Sequence, residues 1–454
     1  MIIFARRGLL PEGWRENVRL TLAQGRIAQI VTDASADVPD VRVDTLLPAI
    51  SNLHSHTFQR AMAGMTEKRG ASTDSFWTWR ELMYRFLQHL SPDDVEAIAS
   101  FAFMEMQEAG FASVAEFHYL HNAVGGAPYA DRAELSGRIM AAAHQTGMGL
   151  TLLPVLYSYA GLGKRPLAER QLRFKNTREE FVRLHAEATR LIEKSLPADA
   201  RIGVAPHSLR AVSAEDLQAL VNQFKAGPIH LHIAEQTAEV DEVSAATGQR
   251  PVEWLLSHAE VNRNWCLIHA TQITQAETIE LARTGAVAGL CPITEANLGD
   301  GIFNAPDFIN AGGTFGVGTD SNINISVSGE LCTLEYSQRL RDRQRNVLAQ
   351  ENVATGHSVY TRALTGGAQA LGRACGAIAA GNWADLVAID SEHIQLCALT
   401  KEQLLDGWIF ASNAKVVTDL WSAGRHCIRG GQHVQRDAIS KKYRSVLKRL
   451  SQML

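Results

Sequence analysis

From about residue 45 onward, short apolar runs alternate with longer stretches in which apolar residues recur every three or four positions. A run of four to eight apolar residues has the length of a buried strand, and the longer pattern is that of a helix laid against it. The runs cover 45–50, 111–117, 150–156, 202–206, 229–233, 265–270, 286–292 and 314–318. Eight strands in strict alternation with helices predict an α/β chain, a closed TIM-like (β/α)8 barrel. Helix boundaries are written in the same pattern. Ser91-Pro92-Asp93-Asp94 supplies a serine cap and a first-turn proline for a helix running to Ala109, which Gly110 stops; 177–195 and 213–224 read alike. The two ends differ from the middle. Short strand patterns at 18–22 and 26–31, joined through Gly25, match others at 384–390 and 419–433, which are punctuated by Gly381, Gly424, Gly430 and Gly431. They predict a small β-sandwich domain built from both terminal segments, residues 1–47 and 371–436, around a barrel of 48–370. Residues 437–454 carry a basic amphipathic helix, expected to pack on its own protein.

Polar residues at the C-terminal ends of the predicted strands point to chemistry, because the loops of a (β/α)8 barrel converge on that face. His54 and His56 leave the first strand as an H-x-H pair, and residues i and i+2 of an extended chain share a face. His232 ends the fifth run, His269 the sixth, and Asp320 follows the eighth. Three imidazoles and a carboxylate, His54, His56, His232 and Asp320, make a metal shell that favours zinc, with iron or manganese able to occupy the same donors. Glu235, three residues past His232, suits a proton carrier. His269 would orient or polarise the reacting group, and Asp320 can serve as ligand, as general base, or as both. Taken singly, His269 reads as a hydrogen-bonded core residue and Asp320 as a helix cap. Taken together, the set reads as a metal-dependent hydrolase. His118 and His121 have ligand-like spacing but no partner set, so no metal is expected there.

Composition narrows the picture. Among 454 residues, hydrophobics at 46% and charged residues at 20% mark a soluble globular chain. A net charge of −4 leaves no electrostatic footprint for nucleic acid or an anionic membrane. The six cysteines are scattered without any C-x-x-C, and two arginines interrupt the apolar N-terminus, so a reducing, cytoplasmic setting is expected.

The motifs resemble those of the amidohydrolase superfamily, and within it the N-formimino-L-glutamate deiminases of histidine breakdown. They are the segments 48–60, Phe76-Trp77-Thr78-Trp79-Arg80, Glu116-Phe117-His118-Tyr119, 205–210, His232-Ile233-Ala234-Glu235-Gln236, 291–301 and 381–387. The resemblance implies one zinc per chain on His54, His56, His232 and Asp320, because the stretch 202–207 lacks the lysine that bridges two metals in binuclear members. It also implies that Glu235 shuttles protons, that His269 assists at the tetrahedral intermediate, and that Asp320 takes a proton from the attacking water. Arg80 and Arg210 would bind the carboxylates of a small dicarboxylate substrate, with Gln59, Tyr119 and His207 as its other contacts. Family members of this architecture are typically homodimers. Two alternatives stand beside this reading. One is deamination of a purine- or pterin-like ring, for which Trp77 and Trp79 could provide stacking; the other is an inactive barrel scaffold.

Overall fold

A computed structural model describes residues 1–35, 38–69 and 76–453, the side chains of Phe76 and Trp77 excepted. Four strands open the chain: β1 (Ile2–Leu10), β2 (Gly13–Ala23), β3 (Arg26–Val31) and β4 (Val41–Pro48). The barrel follows with β5 (Ile50–Ser55), β6 (Phe111–His118), β7 (Gly149–Leu156), β8 (Arg201–Ile202), β9 (Ala205–Pro206), β10 (Ile229–Ile233), β11 (Trp265–His269), β12 (Val287–Leu290) and β13 (Thr314–Val317). Four more, β14 (Leu386–Ile389), β15 (Val417–Ser422), β16 (Arg425–Arg429) and β17 (Gln432–His433), return to the first sheet.

Pairing within the barrel is parallel throughout, from β5 through β6 and β7 to β8 and β9, and from β10 through to β13. Bridges Val204 to Ile229 and Ser208 to His232 join the two arcs, and Ser55 to Asp320 closes the ring. Every residue of β5, β6, β7, β10, β11 and β12 is buried, which is why β7, β11 and β12 are near-continuous apolar runs, while β5 and β10 bury the polar side chains that build the site.

Two strand boundaries differ from expectation. The first run, read as one barrel strand over 45–50, is divided at Ala49: Pro48 still pairs with Leu386 in the terminal sheet, and the barrel strand begins only at Ile50. Both sheets bury this stretch, so hydrophobicity carries no mark of the switch. The fourth strand is broken at Gly203, where an added Cβ would lie 2.5 Å from the Pro228 carbonyl oxygen.

The terminal segments form one mixed eight-stranded sheet, ordered β17-β16-β15-β14-β4-β1-β2-β3. It is antiparallel except between β1 and β4. The β2–β3 turn reaches over to the far side, where Gly25 accepts a hydrogen bond from Ala384 N–H at 2.9 Å. The sheet thus folds over on itself as a sandwich, around a core of its own that includes Ile3, Val18, Leu20, Leu386 and Trp421. The pattern had hidden β1, because Arg6 and Arg7 interrupt it; Arg6 turns outward to pair with Asp44 and Glu392.

Helices follow their punctuation closely. Pro92–Ala109 is capped reciprocally by Ser91 and Asp94 and ends at Gly110, whose φ is 107°. Thr177 caps Arg178–Ser195, and Ser213 caps Ala214–Gln223. The final helix, Arg436–Leu450, begins one residue ahead of the expected segment 437–454 and ends within it. It packs on Pro92–Ala109, with Tyr443 stacked on Phe101 at 3.8 Å between ring centres and Arg449 paired with Asp94. Among the described residues, no helix is long and apolar enough to cross a membrane.

Candidate active site

The site is assembled where β13 closes against β5. Asp320 N–H donates to the His54 carbonyl and His56 N–H to the Asp320 carbonyl, each at 2.9 Å. Gly318 makes that approach possible, since a Cβ there would sit 2.7 Å from His54 N. Below them Asn52 ties the strands together: its Oδ1 accepts from Thr319 N–H at 3.1 Å and its Nδ2 donates to Thr319 Oγ1 at 2.7 Å.

These staples bring one donor atom each from His54, His56, His232 and Asp320 within 4.8 Å of one another, all four residues buried. His56 Nδ1 donates to the Phe117 carbonyl at 3.0 Å and His232 Nδ1 to the His207 carbonyl at 3.2 Å. Each bond fixes the tautomer that leaves Nε2 with a lone pair for the cluster. Nε2 of His54 and of His56 each lie 3.3 Å from Asp320 Oδ1. Neither ring nitrogen of His54 has a hydrogen-bond partner among the described residues, although both are buried. Burial pushes His54 down to about 3 and holds His56 and His232 below the usual imidazole range. Burial also works against ionisation of Asp320, but the nearby imidazoles of His54 and His56 outweigh it and keep this carboxyl below its ordinary value. Neutral imidazoles, an ionised carboxylate and orphaned buried nitrogens are what a divalent cation satisfies.

Glu235 and His269 stand beside the cluster, His269 Nε2 lying 3.9 Å from Glu235 Oε1. On its other side His269 Nδ1 is 3.4 Å from Glu295 Oε1, which also accepts from Cys291 N–H at 3.0 Å. Burial pulls His269 down, but Glu235, Glu295 and Asp320 more than offset it and push it up to about 10. Burial raises Glu235 above the usual carboxylate range, and the positive charges of His269 and Arg210 only partly compensate. The backbone here is strained: Ala234, His269, Ala270 and Asp320 adopt φ of 49°, 68°, 48° and 43°. Four such residues that are not glycine, at the ends of three strands, aim these side chains inward at an energetic cost that functional sites commonly carry.

A cleft opens above the cluster. It brings His56, His232, Glu235, His269 and Asp320 together with Gln59, Arg80, Tyr119, His207 and Arg210, while His54 lies beneath its floor. Gln59 Nε2 donates to Tyr119 Oη at 2.9 Å, and Arg80 donates to Tyr157 Oη at 3.2 Å with its guanidinium over the Tyr84 ring. Burial first, then the positive charges of Arg210 and Arg80, hold His207 well below the ordinary imidazole value, and both arginines line the cleft with it. Sequence reasoning had not picked out Tyr84, Tyr157, Phe174 and Glu295. Glu295 lies in one of the motifs, but nothing local marks it as the partner of a histidine 26 residues away. Trp79 lines the cleft, whereas the Trp77 side chain lies outside the described residues. His118 and His121 pack edge to face at 5.5 Å, apart from the metal-ligating set.

Comparison with known proteins bears on this arrangement. The model of the amidohydrolase family matches residues 45–427, spanning the barrel and the return of the small sheet. The chain belongs to the amidohydrolase family. Ahead of that match, the amidohydrolase carries at residues 1–44 the domain described as "Formimidoylglutamate deiminase HutF, N-terminal domain". It is 48% identical over 451 residues to the formimidoylglutamate deiminase of Pseudomonas aeruginosa, covering 98% of each chain. The crystal structure of an amidohydrolase from Brucella melitensis superposes with a TM-score of 0.95 at 46% identity, over 99% of each chain. An adenosine deaminase from Xanthomonas campestris, crystallised with bound zinc, shares the fold with a TM-score of 0.82 at 22% identity, over 99% of this amidohydrolase and 98% of that chain.

Proposed function

We propose that the chain hydrolyses N-formimino-L-glutamate to N-formyl-L-glutamate and ammonia, with one zinc ion held by His54, His56, His232 and Asp320. The observation that carries this reading is the placement of two arginines, Arg80 and Arg210, on the wall of a cleft whose floor is a metal-ligating set. A dianionic substrate of this length needs two cationic anchors at one end and an electrophilic centre at the other, and guanidinium groups bind carboxylates bidentately. The whole-length likeness to a formimidoylglutamate deiminase supports the same substrate. A second group of possible ligands, His269, Cys291 and Asp320, shares Asp320, and burial together with nearby carboxylates pushes the Cys291 thiol far up, so it is a poor ligand. That supports a single ion. Iron or manganese suits the same donors.

When bound, the ion supplies Lewis acidity that makes water a nucleophile near neutral pH. The chain's own residues do the rest. Arg80 and Arg210 anchor the carboxylates, and Gln59, Tyr119 and His207 orient the chain of the substrate towards the floor. Asp320 accepts a proton from the attacking water. Glu235, whose carboxyl burial raises above the usual range, donates to the departing nitrogen, which must be protonated to leave. His269, held cationic between Glu235 and Glu295, stabilises negative charge developing at the reacting carbon's substituents. One water is consumed: its oxygen becomes the formyl oxygen and its hydrogens leave with the nitrogen as ammonia.

Product analysis tests the reading. Zinc-loaded protein mixed with N-formimino-L-glutamate is expected to release ammonia and N-formyl-L-glutamate in equal amounts. Ammonia release from adenosine or a pterin in its place would transfer the assignment to a ring deaminase.

A further inference from the structure

Arg210 has a buried neighbour that the mechanism leaves unused. Glu239 lies in the first turn of the helix Thr237–Thr247, four residues past Glu235, and is 1% exposed. Its Oε2 accepts a hydrogen bond from Glu235 N–H at 3.1 Å, and its Oε1 faces Arg210 Nε at 4.0 Å. Both facing atoms are buried, and neither has a hydrogen-bond partner among the described residues. Two orphaned atoms of opposite charge, left to one another in a dry place, form a pair that a small rotation closes into a hydrogen bond.

We infer that Glu239 is the positioning residue for Arg210, gripping the guanidinium at its Nε edge so that the outer nitrogens are presented to the substrate's carboxylate. The inference rests on the dicarboxylate reading of the cleft. Only a carboxylate fits the place. It accepts on both oxygens, one for the Glu235 amide and one for Arg210, whereas a glutamine has one acceptor and one donor and can serve only one of the two. Through Glu239 the backbone at Glu235 is tied to the side chain of Arg210.

Two effects of removing the charge oppose each other. A neutral residue makes the cleft more positive, which by Coulomb attraction alone would tighten a dianion. It also frees the guanidinium plane, which loosens bidentate recognition. Positioning is the larger effect here, because Arg210 has its Nε–H buried with no other acceptor among the described residues to hold it.

The test uses the full-length, zinc-loaded protein. For Glu239→Gln, KM is expected to rise about 10- to 100-fold, the scale seen on removing a residue that orients a ligand-holding group, with metal content unchanged. The chemical step is expected to stay within about twofold, since an anchor used equally in ground and transition states acts on KM. In an Arg210→Ala background the same substitution is expected to change kcat/KM no further. Glu239→Asp, which keeps both acceptors, is expected to lose less, and serves in its place if the glutamine variant does not fold. A KM that stays the same or falls overturns the inference, as does an equal loss with and without Arg210. Glutarate affinity by calorimetry is read alongside turnover. Wild-type protein that binds glutarate but releases no ammonia overturns the assigned reaction, and the glutarate affinities of the variants then decide the role of Glu239.

Discussion

At the scale of single residues, the metal cluster depends on two backbones touching. Gly318 lies where a Cβ would meet His54 N, O and Cβ at 2.7–2.9 Å. Gly318→Ala is therefore expected to separate Asp320 from His54 and lower bound metal well below one ion per chain, read by metal analysis on folded protein. The proton carrier is tested separately. Glu235→Gln is expected to retain the metal and lose about 100- to 10,000-fold in kcat, the usual value of a positioned acid; turnover at the wild-type rate would remove Glu235 from proton transfer. The residues proposed as ligands were legible in the chain because each ends an apolar run, and strand ends share one rim. Asn52, Glu239 and Glu295 were not. Their partners, Thr319, Arg210 and His269, are remote in sequence or lie on other elements, and no local spacing encodes a contact made only when the barrel closes.

At the scale of elements, caps and stops were accurate where they are chemical. A serine or threonine that accepts from the third backbone N–H defines a helix start without help from its surroundings, and at Gly110 a positive φ defines the stop. Strand limits fared worse at β4 and β5, because burial on both sides makes their shared run uniform. The close seating of the helix Thr355–Ala370 on the barrel is a further element-scale feature. A Cβ at Gly366 would lie 1.9 Å from the Phe315 carbonyl oxygen, and one at Gly367 2.8 Å from that of Ser51. Alanine favours a helix interior over glycine by about 1 kcal/mol, but overpacking a tight contact costs about 1–3 kcal/mol and more when the obstacle is backbone. Gly366→Ala is thus expected to lower the melting temperature or abolish soluble expression, whereas an alanine at an exposed helical site would raise it.

At the scale of the whole molecule, barrel and small sheet are locked by a buried ionic cluster. Arg373 donates to Asp385 at 2.6 Å and to Asp199 at 2.9 Å, and Arg425 of β16 donates to Asp199 at 2.7 Å. Asp199 precedes the barrel's fourth strand and Asp385 precedes β14, so four charges join three distant segments. Removing Arg373 would leave two buried carboxylates short of a partner, a loss of about 3–5 kcal/mol. The pH dependence has a definite sign. Burial raises Asp199, but the hydrogen bonds of Arg425 and the charge of Arg373 outweigh it and hold it below its ordinary 3.8. A depressed folded-state value stabilises above the unfolded value and is lost as pH falls through the folded one. The difference in melting temperature between wild type and Asp199→Asn is therefore expected to be full near pH 7 and to shrink below 3.8. A difference that grew in acid would contradict this account.

Alternating apolar runs, strand-end histidines and helix punctuation are properties of neighbouring residues, so the α/β barrel and the rim on which the candidate ligands meet were legible in the sequence alone. Which apolar run divides between two sheets, which carboxylate faces which histidine or arginine, and how closely β13 approaches His54 depend on atoms brought together from tens to hundreds of residues apart. Those were decided by the tertiary structure, because contact energies act through distance in space, and the one-dimensional pattern records only burial.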